Sequence, residues 1–420
     1  MEQNKFQNVD ITDEIDVSRR NLLKTFALAG VATAAGASVL GRKVFESETL
    51  LSGSNTSLTT STAFGPSSSQ ETEKNLIGNL IDNFQGGNFR IDVHCHHIPD
   101  FYRESLASYG ITQAGGVDLP EWSPELAVKF MNKYSIQTQV LSISEPGVFY
   151  IPELNKRVAL AQKINDYTSQ ELIYSQNSDR RGRFGGFAVL PLGDLSTQDL
   201  QNACDEAKRA INTLKMDGIG LFSNYFGTYL GDPKLDPLME TLNELGTMVF
   251  IHPVTPMSTP DLDLPHFLFE FPFDTTRAVV NMMYKNVLLK YPRIRWLLAH
   301  AGGAVPFLAY RTTLLRYYPA IAQNFGISLL DDGNLAYSRL YYDTALSPAP
   351  SAMKSVREVT SVEHIMFATD WPFSSQIFVI PGDPAPQLKD TFNSDELDKV
   401  NRGNALNEFP LLKQRLNNIV

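Results

Sequence analysis

The sequence predicts an α/β protein, a (β/α)8 barrel, and two observations lead to this fold. Short apolar runs of strand length recur along the chain, and each ends in small or polar residues. Segments with the 3.6-residue periodicity of amphipathic helices separate these runs. Runs that are apolar throughout are typical of parallel strands buried on both faces. Their alternation with helices over a chain of this length is the pattern of a closed barrel.

Eight runs qualify as strands of this barrel. In chain order they are Phe89–His94, Thr138–Ser144, Phe184–Leu190, Gly218–Phe222, Met248–His252, Trp296–His300, Leu340–Asp343 and Ile365–Asp370. Between them, Leu154–Tyr174 repeats apolar residues on one side, and Asp194-Leu195-Ser196 is a typical helix start for the segment that reaches Leu214. An open, doubly wound sheet is the competing fold. No G-x-G-x-x-G loop follows the first run, which weakens the case for a dinucleotide site.

Composition and charge narrow the class of protein. The chain has 420 residues, 43% of them hydrophobic, so it can bury a sizeable core and is not disordered throughout. Its 36 basic and 46 acidic residues give a net charge of −10, which argues against nucleic acid as a partner. Two cysteines, Cys95 and Cys204, are too few for a disulfide framework. These features favour an enzyme that acts on a small-molecule substrate.

Residues 1–37 predict a secretory signal of the twin-arginine type. Arg19 and Arg20 precede an uncharged run rich in Ala and Gly, from residue 26 to residue 40, and Ala35-Gly36-Ala37 is a small-residue cleavage site. Such a signal makes the twin-arginine export machinery a partner and predicts a periplasmic or extracellular location. The alternatives are a retained N-terminal anchor, for which the apolar run is short, and a short amphipathic helix.

Residues 38–87 predict a flexible linker between the signal and the barrel. The first part of this segment is rich in Ser, Thr and Gly, and it cannot bury enough apolar area to offset the entropy lost on ordering. The barrel domain is therefore expected over residues 88–420.

A pair of histidines ends the first predicted strand. In a strand, residues i and i+2 point to the same side, so His94 and His96 share a face at the end where a barrel carries its active site. Two neutral imidazoles side by side are a natural half-site for a divalent metal. His97 points to the opposite face and is left out. Cys95, on that opposite face, is expected to be buried and unpaired.

Other candidate metal ligands end other predicted strands. His252 ends the fifth run, His300 the sixth, and Asp370 the eighth. Each residue alone has an ordinary structural explanation as a satisfied core or surface residue. Their joint placement at strand ends predicts a metal site, because the carboxyl ends of parallel strands meet at one pole of a barrel.

These residues stand in an ordered set of motifs. The set comprises Asp92-Val93-His94-Cys95-His96, Leu141-Ser142-Ile143-Ser144, Arg183 to Leu192, Ile251-His252-Pro253, Phe271 to Arg277, Leu298 to Gly303, Tyr342-Asp343-Thr344-Ala345, Thr369-Asp370-Trp371-Pro372 and Gly403-Asn404-Ala405. The set resembles the amidohydrolase superfamily, in the branch of 2-amino-3-carboxymuconate-6-semialdehyde decarboxylase. The resemblance runs from about residue 91 to residue 409 and implies a barrel of the metal-dependent hydrolase type.

The resemblance also implies a role for each candidate residue. His94, His96, His252 and Asp370 are expected to bind one divalent metal ion, with zinc preferred. His300 is expected to act with Asp370 at the catalytic centre, as the general acid/base. Three neutral donors and one carboxylate leave a coordination position open, as a catalytic metal requires. The fourth predicted strand contains no lysine to bridge a second metal ion, so a single ion is expected.

One arginine is assigned to substrate binding through the same resemblance. Arg311 lies eleven residues after His300, where an arginine of the related decarboxylases reaches the substrate of a neighbouring subunit. A guanidinium suits this role because it grips a carboxylate bidentately. The resemblance therefore implies a homodimer with shared sites, whereas the alternative is an ordinary surface arginine. A second substrate arginine of the family prototype has only Arg103 as a counterpart between the first two strands.

Three classes of function follow. The favoured class is a metal-dependent carboxy-lyase that decarboxylates a small unsaturated or aromatic acid without an oxidant. The alternative is a metal-dependent hydrolase of an ester, lactone or amide bond, for which the same ligand set serves. A non-catalytic binding protein is the third class. Aromatic residues after the predicted strands favour a flat acid as ligand, and they are Phe149, Tyr150, Tyr225, Phe226 and Trp371.

Overall fold

Eight parallel strands are paired in chain order in the computed structural model. The model describes residues 90–260, 262–327, 333–375 and 383–418, so the predicted signal and linker lie outside the described residues. The strands are β1 Arg90–His96, β2 Ile136–Ser142, β3 Phe184–Val189, β4 Gly218–Phe222, β5 Met248–His252, β6 Arg295–Leu298, β7 Tyr341–Asp343 and β8 Ile365–Met366. This order confirms the predicted (β/α)8 barrel.

Backbone hydrogen bonds between the first and last strands close the barrel. The amide of Val93 donates to the carbonyl of Phe367 at 3.0 Å, and the amide of Asp370 donates to the carbonyl of His94 at 2.7 Å. An isolated parallel bridge joins Cys95 to Trp371. Closure removes the exposed sheet edges and brings the ends of β1 and β8 side by side.

Helices cover the outside of the sheet. They are α1 Asp100–Ser108, α2 Pro124–Lys133, α3 Leu154–Tyr167, α4 Thr197–Asn212, α5 Asp236–Leu245, α6 Glu270–Tyr284, α7 Val287–Lys290, α8 Val305–Thr312, α9 Pro319–Asn324, α10 Gly333–Ser338, α11 Pro350–Arg357, α12 Ser394–Asp398, α13 Asn404–Glu408 and α14 Pro410–Asn417. The predicted cap of α4 is confirmed, since the Ser196 side chain accepts from the amide of Asp199 at 3.3 Å. The predicted helix over 154–174 is α3 followed by a π-helical turn, Thr168–Ile173. No helix among the described residues has the length and apolar character that a membrane span requires.

The barrel interior is an apolar cluster to which seven of the eight strands contribute. Its members from these strands are Ile91, Val93, Val140, Phe187, Met248, Phe250, Leu297, Tyr341 and Met366. Phe409 and Leu412 join this cluster, and the ring of Phe409 lies 5.8 Å from that of Phe187. The amino-terminal pole is thus packed with apolar side chains, and the polar chemistry lies at the other pole.

Two predicted strands end before they reach their candidate site residue. The sixth strand stops at Leu298 and the eighth at Met366, so neither His300 nor Asp370 belongs to a strand. Both have left-handed backbones, with φ of 55° at His300 and 62° at Asp370. Such a conformation turns the chain out of the ladder, and it is uncommon for residues with a Cβ atom.

Candidate metal centre and active site

Five ionisable side chains meet at the carboxyl-terminal pole of the barrel. One ligand atom from each of His94, His252, His300 and Asp370 lies within 4.8 Å of all the others, and all four residues are buried. The fifth residue is His96, whose Nε2 lies 3.2 Å from His94 Nε2 and 3.0 Å from Asp370 Oδ1. The structure thus brings together every metal-site residue that the sequence singles out. Proximity alone does not divide them into ligands and acid/base.

A buried carboxylate fixes His94. Nδ1 of His94 lies 2.7 Å from Oδ2 of Asp343, and both side chains are fully buried. The other oxygen of Asp343 accepts the backbone amide of His300 at 2.8 Å. Because Nδ1 holds the proton that Asp343 accepts, Nε2 is the atom that His94 directs at its neighbours in the site.

The other two predicted histidine ligands are fixed in the same way by neutral oxygens. Nδ1 of His96 lies 3.0 Å from Ser142 Oγ, whose hydroxyl donates to the carbonyl of Cys95 at 3.3 Å. Nδ1 of His252 lies 2.8 Å from the carbonyl oxygen of Pro253. Since that serine proton is already used and a carbonyl only accepts, both Nδ1 atoms are donors. Both Nε2 atoms therefore keep a lone pair for a metal ion.

His300 differs from these three histidines. Its Nδ1 is buried and has no hydrogen-bond partner among the described residues, while its Nε2 lies 3.2 Å from Asp370 Oδ2. Metal-binding histidines almost always donate their second ring nitrogen to an acceptor. His300 is therefore paired with Asp370 through Nε2, while no described residue fixes its Nδ1. This arrangement suits a residue that exchanges a proton.

Burial and neighbouring charges set the protonation of the cluster. Burial, with the neighbouring histidines, holds the pKa of His252 well below its ordinary value, and burial also lowers the pKa of His96. Burial opposes charge on His94, but Asp343 and Asp370 outweigh it and raise its pKa to about 10. Burial likewise disfavours the Asp370 carboxylate, yet the positive charge of His94 and bonds from the histidines hold its pKa well below the usual range. Asp370 is thus anionic and two histidines are neutral.

This arrangement fits a divalent cation. Nε2 of His94 lies 3.2 Å from Nε2 of His96, and an anionic oxygen of Asp370 lies 3.0 Å from His96 Nε2, so without a metal ion the proton on His94 separates these atoms and a divalent cation would take its place. Electron-rich atoms at such distances repel one another unless protons or a cation lie between them. Three imidazoles and a carboxylate are a donor set typical of a catalytic metal site with an open position.

A cavity of about 590 Å³ opens onto this cluster. His252 and Asp370 form part of its lining, so a molecule in the cavity reaches the predicted metal position. Its apolar wall consists of Ala114, Val117, Leu119, Pro120, Phe267, Phe271, Leu346, Pro372 and Phe373. The size and lining suit a small, flat, largely apolar ligand.

The aromatic residues that follow the predicted strands pack outside the lining of this cavity. The ring of Trp371 stacks on Phe130 at 5.1 Å, away from the lining of the cavity. Phe149 packs against Tyr225 and Phe226 at 5.9 and 5.4 Å. None of the five aromatic residues that follow the predicted strands belongs to the lining of this cavity. Phe267, Phe271 and Phe373 line the cavity instead.

The two arginines considered from the sequence lie outside the cavity lining. Arg311 lies near the end of α8, exposed. Arg103 uses its guanidinium on the carbonyl of Leu119, at 3.3 Å, and on that of Pro120. Arg103 therefore holds a wall of the cavity in place.

Sequence reasoning missed Asp343 as a partner of the site. It ends the seventh predicted strand and stands in one of the recognised motifs, so the signal was present. His97, left out of the site, bonds the carbonyl of Ser142 at 3.0 Å and the hydroxyl of Thr168 at 2.7 Å, on the other side of the strand. Cys95 is buried and free, as expected.

Comparison with known proteins agrees with the site. The family model described as amidohydrolase matches residues 91–411, so the chain belongs to the amidohydrolase family. The family and the barrel fold together identify the chain as an enzyme with a metal site.

Two curated relatives and one solved structure sharpen the comparison. The chain is 30% identical to 6-methylsalicylic acid decarboxylase from Penicillium expansum over 333 residues, 77% of this chain and 97% of the relative. It is 26% identical to 2-amino-3-carboxymuconate-6-semialdehyde decarboxylase from Dictyostelium discoideum, over 76% of this chain and 90% of that protein. A crystal structure of 5-carboxyvanillate decarboxylase from Novosphingobium aromaticivorans, in complex with manganese and a nitrobenzoic acid, superposes with a TM-score of 0.65. The two sequences are 20% identical, and the superposition covers 77% of this chain and 96% of the chain in that structure.

Proposed function

We propose that this chain is a metal-dependent carboxy-lyase that decarboxylates a small aromatic or unsaturated carboxylic acid without an oxidant. One observation carries the proposal: three histidines are anchored through Nδ1 on strand ends, and the fourth, His300, is not. This division supports His94, His96, His252 and Asp370 as metal ligands and His300 as the acid/base. The decarboxylase relatives and the apolar cavity support the choice of reaction.

The proposed metal is a single divalent ion. When bound, it supplies a positive charge that orients the substrate carboxylate and stabilises negative charge as the reaction proceeds. The nitrogen-rich donor set favours zinc. A decarboxylase of the same fold was crystallised with manganese, so elemental analysis of the purified protein should score both metals.

The residues of the chain manage the proton that replaces CO2. A proton is added to the ring carbon that carries the carboxylate, the bond to the carboxylate breaks, and its electron pair remains on the ring. CO2 leaves, and no oxidant or reductant takes part. His300 is placed for this transfer because its Nε2 is paired with Asp370 at 3.2 Å and its Nδ1 is unengaged among the described residues. The largely apolar wall of the cavity strengthens these charge interactions, because it screens them less than bulk water does.

A screen of substrates distinguishes the lyase from the hydrolase. The purified, metal-loaded enzyme is incubated with hydroxylated and methylated benzoic acids, and with matching aryl esters, lactones and amides. We expect CO2 in equal amount to the decarboxylated product, with His300→Ala as the inactive control. Hydrolysis of the esters or amides without CO2 release from any acid would favour the hydrolase, and ligand binding without turnover would favour a binding protein.

We also propose that the enzyme is a homodimer in which Arg311 contributes to the neighbouring site. Arg311 shares α8 with Phe307, which is 83% exposed, and Tyr310, which is 67% exposed. Large exposed aromatic side chains around an arginine are typical of protein interfaces. Mixing and refolding the inactive variants Arg311→Ala and His300→Ala should restore activity, since one site of each mixed dimer is then intact. A monomeric wild type, or no restored activity in mixed dimers, would contradict the shared site.

Export by the twin-arginine route is the remaining part of the proposal. The support is the sequence of residues 1–37, with Arg19 and Arg20 before the apolar run. Replacing both arginines by lysine should trap folded, active precursor in the cytoplasm. Unchanged export of this double variant would point to another route or to a membrane anchor.

A further inference from the structure

A buried carboxylate bridges two loops at the carboxyl-terminal pole of the barrel. Glu145 follows β2, and its side chain is buried. Its Oε1 accepts from the backbone amide of Gly115 and from the hydroxyl of Thr255, the latter at 2.8 Å. Its Oε2 accepts from the backbone amide of Thr255 at 2.5 Å. Because residues 115 and 255 are far apart in sequence, this one side chain joins segments that no local turn connects.

The three donors to Glu145 are neutral groups. Burying a carboxylate costs free energy unless hydrogen bonds replace those made to water, and hydrogen bonds to a charged group are stronger than those between neutral groups. A carboxylate only accepts, whereas the side-chain amide of glutamine would direct a donor at another donor here. A carboxylate at this position therefore holds donors from both loops at once, and a glutamine of the same shape does not.

The first of these loops is a short antiparallel ribbon with Gly115 in its turn. Gln113 pairs with Asp118 and Ala114 with Val117, and a ribbon of this kind is marginally stable on its own. Ala114, Val117 and Asp118 belong to the lining of the cavity. The position of this part of the wall therefore depends on contacts that the ribbon makes with the rest of the protein.

The chain after β5 supplies the second loop, and it packs on the same turn. The amide of Phe267 donates to the carbonyl of Gly115 at 3.0 Å. A Cβ atom at Gly115 would lie 2.8 Å from the ring of Phe271, so the two approach closely. Phe267 and Phe271 also line the cavity, whereas Glu145 lies outside its lining. Glu145 thus fastens a wall to which both loops contribute, without facing the cavity itself.

We infer that Glu145 is a positioning residue, which holds the ribbon to the chain at Thr255 and thereby fixes this wall around the aromatic acid. The inference rests on the proposed function, because it assigns the wall to that substrate. Loss of the carboxylate acts through the wall and leaves the metal ligands in place. It should therefore weaken substrate binding more than it slows the chemical step.

Glu145→Gln tests the inference, with 2-hydroxy-6-methylbenzoate as the probe. We expect KM to rise by about 10-fold and kcat to stay within about 3-fold, because binding common to substrate and transition state is lost. Metal content should equal that of the wild type. Calorimetry with the same acid measures affinity independently of CO2 release. In the metal-loaded enzyme without ligand, hydrogen exchange should become faster at the amides of residues 115, 255 and 267.

Two substitutions at Thr255 separate the hydroxyl from the backbone. Thr255→Val removes the hydroxyl bond and keeps the amide bond, so KM should rise by about 3-fold. Thr255→Ser retains the hydroxyl and should keep the KM of the wild type. This pair also decides the matter if Glu145→Gln does not fold, and an equal KM for the two variants would then contradict the inference.

Asp217→Asn is the matched control at the opposite pole. Asp217 is buried directly before β4, where it accepts from the amide of Gly186 at 3.0 Å and from the guanidinium of Arg415 at 2.7 Å. Its substitution also removes a buried carboxylate that holds a backbone amide. It should lower the free energy of unfolding and leave KM unaltered.

The outcomes are distinct. An unchanged KM for Glu145→Gln would overturn the inference, and so would an equal rise for Asp217→Asn, since the effect would then be a general loss of stability. Loss of metal from Glu145→Gln, or failure of the acid to bind the wild type, would overturn it as well. Weaker binding of the acid to Glu145→Gln than to the wild type, without CO2 release from either, would support the inference and overturn the proposed function.

Discussion

The metal-site residues come from two kinds of backbone. His94, His96 and His252 lie in strands, β1 and β5, and each has its Nδ1 bound to an oxygen. His300 and Asp370 lie beyond β6 and β8, in left-handed turns, and contact each other at 3.2 Å. The difference indicates two roles: the strand ends hold the histidine ligands in fixed orientations, and the turns hold the pair His300 and Asp370, through which a proton can be transferred.

Asp370 joins the two regions. Its Oδ1 lies 3.0 Å from His96 Nε2, and its Oδ2 lies 3.2 Å from His300 Nε2. Left-handed backbone at two residues with Cβ atoms costs free energy and persists only where the surroundings enforce it. Here the amide of Asp370 is held by the carbonyl of His94, and that of His300 by Asp343.

The largest effect is expected where the two regions meet. Asp370→Ala removes the anionic ligand and the partner of His300 together, so both metal and activity should be lost. Metal content by elemental analysis and CO2 release are the two measurements. His97→Ala is the control, since that buried histidine lies outside the site and its loss should leave metal content unchanged. If the Asp370→Ala variant still binds the metal, the proposed ligand set is wrong.

The next prediction separates the two regions. His300→Ala should keep its metal and lose turnover by roughly 100-fold or more, the usual contribution of general acid–base catalysis. His252→Ala, the matched variant on a strand, should lose the metal as well. Loss of metal in both variants would make His300 a ligand and remove the distinction.

A smaller effect is expected from the anchors of the strand histidines. Asp343→Asn keeps an oxygen for the amide of His300 but weakens the bond to His94, and should lower metal affinity by about 10-fold to 100-fold. Ser142→Ala removes a neutral partner from His96 and should lower affinity less, because bonds to charged groups are stronger. Competition with a metal chelator measures both, and equal affinity for wild type and Asp343→Asn would refute the role of the anchor.

The smallest effect concerns the turn itself. Ala301 follows His300 and also has a positive φ, 57°, whereas Ala299 has a φ of −65°. Ala301→Gly relieves left-handed strain of about 1–2 kcal/mol, but it loses a methyl group worth about 0.8 kcal/mol and adds a glycine entropy cost of about 0.5–1 kcal/mol, so the free energy of unfolding should change by less than about 1 kcal/mol. Ala299→Gly should lower it by about 1–2 kcal/mol. If denaturant titrations show that both variants lose the same free energy of unfolding, the turn at Ala301 carries no strain.

The contrast between strand residues and turn residues also explains which parts of the structure the sequence predicts. The strand histidines follow from apolar runs and from the two-residue repeat of a strand, because both patterns are produced by extended backbone. The runs that reach His300 and Asp370 predicted strands there as well, since no apolar pattern marks a left-handed turn at a residue other than glycine. The positions of both side chains at the pole were nevertheless correct, because the turns immediately follow the strand ends.

The cavity was the least predictable part. Its lining combines Phe271 on α6, Phe373 after β8 and Val117 from a two-stranded antiparallel ribbon formed by Gln113–Ala114 and Val117–Asp118. These segments are far apart in sequence, and their contacts depend on tertiary packing. The engagement of Arg103 on backbone carbonyls carries no sequence signal, so only the structure separates a wall support from a substrate-binding arginine.

Titration of metal-free enzyme with a divalent metal, with CO2 release from an aromatic monocarboxylic acid as the readout, tests the account most directly. Because one set of ligands joins the two regions through Asp370, the rate should rise in proportion to added metal and level off at one equivalent per chain. Activity without metal, or a rise that continues to two equivalents, would contradict the account.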